Sequence, residues 1–352
     1  MEQPPHWTEP GAHLVAPGVH RVPLPLPHDG LRAVNVYVIE TGADLTLVDG
    51  GWALEASRRQ LESSLRTVGY RVSDIGRFLV THVHRDHYTQ AVAIRREFGS
   101  KVSMGVGEKP GLQAFHDAAR AGEPPQWDQL QFAGAEPLIA PLRDFNAEDV
   151  PDLSDWEFPD EWLTEDSMLG VPGRDITAVS TPGHTRGHMV FADLDGGLLF
   201  AGDHVLPHIT PSIGFEITPS EQPLRDFLAS LAKVRALPDL RLLPAHGPVT
   251  ESVHARVDEL VAHHDHRLAQ CFDAVAAGLE TGYLVAEALP WTRHERRFAD
   301  LDLFNQLLAT IETTAHLQLL AARGDVSRQV YDGVAYYAVP ATDAADSQLP
   351  GA

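Results

Sequence analysis

Three imidazoles and one carboxylate fall within six residues in Thr81-His82-Val83-His84-Arg85-Asp86-His87, directly after the apolar run Phe78-Leu79-Val80. If Phe78 to Thr81 is extended, His82 and His84 continue the strand at a spacing of two and project to one side. Asp86 and His87 then fall in a turn ahead of a helical pattern over 88–98. Imidazole nitrogen and carboxylate oxygen suit zinc, and also iron or manganese. Four such ligands exceed what one tetrahedral ion takes from so short a segment, which points to two metals side by side. The chain carries 19 histidines, so an ordinary structural cluster is the alternative. A strand-to-helix junction is where α/β proteins place their sites, and this favours the metal.

Three further motifs supply matching groups. Thr181-Pro182-Gly183-His184-Thr185-Arg186-Gly187-His188 offers His184 from a Pro-Gly turn at a strand end. Phe200-Ala201-Gly202-Asp203 ends an apolar strand in an acid, and Leu243-Pro244-Ala245-His246-Gly247 ends one in an imidazole. Apolar strands with polar groups at their C-terminal ends are how open α/β sheets assemble sites.

The elements that must position these residues alternate. Strands are expected at 34–39, 45–48, 78–81, 101–104, 175–181, 189–194, 198–201 and 240–244, with helices at 54–68 and 88–98 among them. Thr218-Pro219-Ser220-Glu221 has the form of a capping box opening a helix to about 236. The stretch 108–173 is rich in proline and acid, with Trp127, Trp156 and Trp162 and weaker periodicity. It reads as an insertion, either packed on its own aromatics or serving as a lid.

Beyond about residue 250 helical patterns take over, at 252–277, 282–288 and 303–323. Two short strands then flank Asp332-Gly333, a strong hairpin turn. Three helices and a hairpin is the order of a winged-helix-like unit. The expected organisation is therefore a catalytic domain over 1–250, a winged-helix-like domain over 251–340 and a flexible tail over 341–352.

Composition bounds the function. With 352 residues, 43% hydrophobic and 22% charged, the chain reads as globular and long enough for a large domain plus a smaller one. A net charge of −22 argues against a general nucleic-acid binder or an anionic membrane surface as partner. No signal-like N-terminal segment and no membrane-length apolar run is visible, so a cytoplasmic location is expected. Cys271 is the single cysteine and forms no internal disulfide. His263, His264 and His266 share a helical segment without a converging acid motif, and are expected on a solvated face.

Together, HxHxDH, TPGHT, GD and HG resemble the metallo-β-lactamase superfamily over about residues 14–250, close to its glyoxalase-II-like dinuclear hydrolases. The resemblance implies an α/β fold, specifically an αββα sandwich with two metals at one edge. By position His82, His84 and His184 would hold one metal and Asp86, His87 and His246 the other, with Asp203 bridging. Asp49, in Leu47-Val48-Asp49-Gly50-Gly51, matches the family's supporting aspartate. The tail is similar to the winged-helix-like domain on one branch that includes endoribonuclease-like members. Where relatives often continue the first motif with Gly-Gly, this chain has Tyr88-Thr89-Gln90. These residues are expected to narrow the approach to the metals, with Tyr88 facing substrate. His188 and His204 are expected as supporting donors, and His208 as a pocket residue. β-Lactam-hydrolysing relatives resemble each other in placing a cysteine, or no bridging acid, at the position of Asp203, so antibiotic hydrolysis is not expected.

Two divalent ions about 3.5–4 Å apart share a water and lower its pKa toward neutrality. The resulting hydroxide would attack a thioester, ester or lactone carbonyl of a small molecule, with Asp86 and Asp203 as the catalytic carboxylates. Zinc is the first expectation, iron and manganese the alternatives. A nuclease of the same fold is a second reading. Against it, residues 251–340 carry seven arginines and no lysine beside thirteen acids, and a groove-reading helix should be basic. The tail is therefore expected to pack or to dimerise. The third reading is persulfide oxidation at a single iron.

Overall fold

The computed structural model describes residues 6–340, apart from 28, 29, 43, 122–126, 147–152, 165 and 293. Strands β1 (His13–Ala16), β2 (Val19–Pro25), β3 (Ala33–Glu40), β4 (Leu45–Val48), β5 (Ile75–Val80), β6 (Lys101–Gly105) and β7 (Glu161–Leu163) form one sheet in chain order. It is antiparallel as far as β4 and parallel from there on. Strands β8 (Ser167–Val171), β9 (Arg174–Ser180), β10 (Met189–Asp193), β11 (Leu198–Gly202) and β12 (Arg241–Pro244) form a second sheet, ordered β12-β11-β10-β9-β8. Helices α1 (Glu55–Thr67), α2 (Arg85–Phe98), α3 (Lys109–Ala121), α4 (Trp127–Phe132), α5 (Glu136–Asn146), α6 (Pro223–Arg235), α7 (Val253–Ala276), α8 (Gly282–Ala288) and α9 (Leu303–Arg323) complete the framework. A hairpin of β13 (Ser327–Tyr331) and β14 (Val334–Ala338) follows them.

The layers follow from alternation along the strands. In β3, Val34, Val36 and Val38 face one way and join Leu61 and Leu65 of α1 and Ala91, Val92 and Ile94 of α2 in a core. Tyr37 and Ile39 face the other way and pack with Ile176, Phe191 and Phe200 of the second sheet. A strand buried on both faces must be apolar at successive positions, and β3 is so from Val36 to Ile39. On the second sheet α6 buries Leu224, Phe227, Leu231 and Val234, a helical stripe. Its Ser230 and Lys233 bond to the carbonyls of Pro182 and Ser180. The result is the expected αββα sandwich.

The chain divides into two compact units, Met1–Gln126 with Ala147–His263 and Trp127–Asn146 with His264–Ala352. The stretch 108–173 is therefore shared: β7, β8 and α3 belong to the first unit, α4 and α5 to the second. In the second unit α9 is capped by Asp302, whose side chain accepts from the Asn305 N–H at 2.8 Å, and by Gly324 in the left-handed conformation. It buries Leu307, Ile311, Leu317 and Leu320. Asp332 and Gly333, at φ 48° and 81°, make the tight hairpin turn. The tail over 341–352 lies outside the described residues. Among the described residues no helix is long and apolar enough to cross a membrane.

Two local expectations are corrected. Strand β5 ends at Val80, so His82 and His84 stand in the loop beyond it rather than on a continued strand. Thr218–Glu221 does not cap a helix: α6 begins at Pro223, behind Gln222, which makes no side-chain cap bond. Ser220 instead donates from Oγ to Asp226 in the first turn of α6 at 2.6 Å, and Pro223 pre-sets the first helical φ.

Candidate metal centre

Every expected ligand leaves the C-terminal end of a strand or the first turn of a helix at the same sheet edges. His82 and His84 follow β5, Asp86 and His87 open α2, His184 follows β9, Asp203 follows β11 and His246 follows β12. The structure gathers them into two groups, His82, His84, His184 and Asp203 in one and Asp86, His87 and His246 in the other. Within each group one possible ligand atom per residue lies within 4.8 Å of all the others.

In the first group His82 Nε2 and His84 Nδ1 are 2.9 Å apart, and His184 Nε2 lies 3.3 and 3.2 Å from them. Asp203 Oδ2 is 3.6 Å from His184 Nε2. Its other oxygen, Oδ1, is 3.6 Å from His87 Nε2 and 3.4 Å from His246 Nε2. Asp86 Oδ2 completes the second group at 3.6 and 3.4 Å from the same two nitrogens. Asp203 thus turns one oxygen to each group. Tetrahedral ligands about 2.0–2.1 Å from zinc sit about 3.3 Å from each other, and these separations fit that spacing.

The outer ring nitrogens decide what the inner ones present. His184 Nδ1 donates to Ser212 O at 2.7 Å, His246 Nδ1 to Ala33 O at 2.8 Å and His84 Nε2 to Phe215 O at 3.3 Å. His87 Nδ1 donates to Asp49 Oδ2 at 2.8 Å. His82 Nδ1 donates to Thr81 Oγ1 at 3.0 Å, whose own proton goes to Asp49. Each ring in neutral form therefore aims a lone pair inward, the arrangement that orients histidine on a metal. His87 Nε2, His246 Nε2 and Asp203 Oδ1 are buried with no hydrogen-bond partner, a costly state unless a cation stands between them.

Electrostatics agree. Burial, reinforced by the neighbouring rings, holds His82 well below the ordinary histidine range and His84 at about 3. Burial also opposes charge on His87, yet Asp86, Asp49 and Asp203 outweigh it and raise that ring to about 10. Burial acts against the charged form of Asp86 too, but His87 and His246 keep its carboxyl far below the usual range. The first group is lined by imidazoles held neutral by burial, while the carboxylates of the second draw positive charge onto His87 and His246, a place that divalent cations suit.

The supporting shell is partly legible in sequence. Asp49, at φ 62°, accepts from Thr81 N at 2.8 Å, from Thr81 Oγ1 at 3.0 Å and from His87. His188 accepts the Asp203 N–H on Nε2 at 3.2 Å and donates from Nδ1 to Thr181 Oγ1 at 2.9 Å, so toward Asp203 it is an acceptor rather than the expected donor. His204 packs edge-on to Phe227 at 5.0 Å between centroids, and burial pushes it down to about 3. His208 is exposed. Asn35 was not anticipated: its amide donates to Pro244 O and Gly247 O at 3.0 and 2.9 Å, on either side of His246. A lone amide among the valines of β3 was the available signal.

Tyr88 corrects an expectation. It is fully buried in the core beneath α2 and donates to Glu157 O. Thr89 accepts from Ala53 N, and Gln90 donates to Gly50 O at 2.7 Å. The three residues thus pin α2 to its own unit instead of narrowing the approach. A helix turns about 100° per residue, so with His87 facing the centre the next positions rotate away.

In the second unit, His264 does not lie on a solvated face. It is fully buried, with Nδ1 3.1 Å from Nε2 of buried His316, whose Nδ1 donates to Glu312 O at 2.7 Å. His266 is exposed as expected. Burial raises the Glu312 carboxyl to about 7, with Arg267 opposing. A raised carboxyl stabilises the fold fully below its unfolded value, and the contribution is lost as pH rises through about 7. Melting of metal-free protein should accordingly decline from pH 5 to pH 8, less steeply in Glu312→Gln. Equal slopes would rule this contribution out.

The profile of the metallo-beta-lactamase superfamily matches residues 29–246. The chain is 28% identical over 247 residues to lactamase-like protein vrtG of Penicillium aethiopicum, covering 70% of this chain and 62% of that one. It is 25% identical over 239 residues to the beta-lactamase-like protein 2 homolog of Caenorhabditis elegans, covering 66% and 62%. It thus spans about three fifths of the length of these relatives. Among solved structures, a beta-lactamase domain protein from Burkholderia ambifaria aligns with a TM-score of 0.77 at 28% identity, over 94% of each chain. A metallo-beta-lactamase family protein from Thermus thermophilus aligns at 0.72 and 27%, over 93% of this chain and all of that one.

Proposed function

This chain belongs to the metallo-beta-lactamase superfamily, and on that footing we propose that it is a two-metal hydrolase of small thioesters, esters or lactones. The observation that carries the reading is Asp203, one oxygen turned toward His184 and the other toward His87 and His246. His82, His84 and His184 would hold one ion, Asp86, His87 and His246 the other, with Asp203 shared. Divalent ions there, zinc foremost, supply an activated water at neutral pH and polarise the scissile carbonyl. The chain's own groups do the rest. Asp86 orients a proton-bearing nucleophile, and imidazoles locked by carbonyl, hydroxyl and carboxylate acceptors keep the ligand positions fixed. No serine or cysteine nucleophile is required, and Cys271 is buried, its thiol pushed up to about 12 by burial.

A small-molecule substrate is favoured over RNA by the second unit. Helix α9 is buried along most of its length and carries one basic residue, Arg323, at its end, which supports a packing or dimerisation role rather than groove reading. The test is metal quantitation on purified protein coupled to a panel of thioesters, lactones and phosphodiesters. Two zinc ions per chain with carbonyl substrates turned over is the expected result. One iron per chain would favour persulfide oxidation, and turnover of phosphodiesters alone would overturn the acyl reading.

A further inference from the structure

Glu108 closes the turn that follows β6. It is 1% exposed, and no motif pointed to it. Its carboxyl accepts from the Thr185 hydroxyl; burial raises it to about 7, and the Thr185 hydroxyl and the nearby backbone N–H groups of Val83 and Gly187 pull against that rise. Val83 stands between His82 and His84, and Thr185 follows His184. One buried carboxyl is therefore bonded to the loop that carries His184 and faces the backbone of the loop that carries His82 and His84. A carboxyl has several acceptor positions, so this residue type suits a hydroxyl and backbone N–H groups facing it from two loops.

The backbone is shaped for the contact. A Cβ on Gly187 would lie 2.1 Å from Glu108 N, one on Gly105 2.2 Å from Gly187 O, and one on Gly107 2.5 Å from Arg186 O. Only glycine lets the 105–108 turn lie in backbone contact with 186–187. Glu216 secures the other side: it accepts from Arg186 N at 3.1 Å, next to Phe215, whose carbonyl receives His84.

We propose that Glu108 is a positioning residue, a clamp that sets His82, His84 and His184 at their mutual separations and so tunes metal affinity in that half of the centre. The proposal rests on the two-metal reading for its consequence, though not for the clamp itself. Two measurements therefore separate them, on wild type, Glu108→Gln and Glu108→Ala. In metal-free protein, amide exchange in peptides covering 81–87 and 183–188 should quicken in Glu108→Ala while peptides covering β3 stay unchanged. Glu108→Gln, which keeps an acceptor oxygen, should restore most of the protection. In chelator competition with zinc, Glu108→Ala should weaken one of two binding events by about 10–100-fold, the usual cost of losing a group that orients ligands. Unchanged exchange at both loops would overturn the clamp, as would a lower melting temperature with both zinc affinities intact. Wild type that binds no zinc would overturn the two-metal reading and the affinity role together, leaving the exchange arm to decide the clamp.

Discussion

Asp203→Ala is expected to abolish turnover while leaving the fold in place. Among the described residues Asp203 is the one carboxylate that turns an oxygen to each group, with separations of 3.4–3.6 Å to His87, His184 and His246. Without it the two halves lose the carboxylate they share, one oxygen each, and bound cations would lose a counter-charge. Metal-assisted activation of water and carbonyl supplies several kcal/mol, and each 1.36 kcal/mol is tenfold in rate, so a fall on the order of a thousandfold or more is expected. His84→Ala should fall as far, because it removes one of three nitrogens held within 3.3 Å of each other. The structural cost is smaller, since both residues stand in loops beyond β5 and β11 while the two cores lie between layers. The measurements are turnover at saturating zinc, circular dichroism and metal content. Activity retained in both variants would refute the two-metal hydrolase.

Asp49→Ala should damage stability and metal binding together. Asp49 is buried, and its carboxylate receives the Thr81 N–H, the Thr81 hydroxyl and the His87 ring. Alanine leaves three buried donors unanswered and must adopt φ 62° without a side chain that eases the left-handed conformation. Removing one partner of a buried ionic network costs about 3–5 kcal/mol, a large share of the roughly 5–15 kcal/mol that holds a domain folded. His87 would lose the acceptor that orients it, so zinc affinity should drop by about 10–100-fold. Asp49→Asn tolerates the left-handed conformation and keeps one acceptor oxygen, so its losses should be smaller. Denaturant midpoints and chelator competition decide the matter. An Asp49→Ala protein matching wild type in both would show that the network carries neither stability nor affinity.

The ligands were legible because each sits in a short motif at a strand end, and strand ends announce themselves in sequence. His82 to His87 are neighbours in the chain, and apolar runs precede Asp203 and His246. The supporting shell was legible only where it shared those motifs, as with His188, or matched a further motif of the family, as with Asp49. Thr81 joins Asp49 to His82 and Asn35 grips both sides of His246, but neither role exists until distant strands pair. Tyr88 was misread for a related reason: it follows a ligand in sequence, yet helical rotation carries it into the core. His264 was misread because what buries it, including His316, lies some fifty positions away on another helix.

By itself, the sequence determined the alternation of strands and helices and the chemical identity of seven ligand candidates, while the αββα class came from the resemblance that their motifs carry. Periodicity and residue type are local properties, and both were in the string. Only the tertiary structure decided that Asp203 serves two groups, that each imidazole has its outer nitrogen spoken for, and that Glu108 faces two ligand loops. Those are distances between residues up to 213 positions apart, set by how the sheets pack, and no local pattern encodes them.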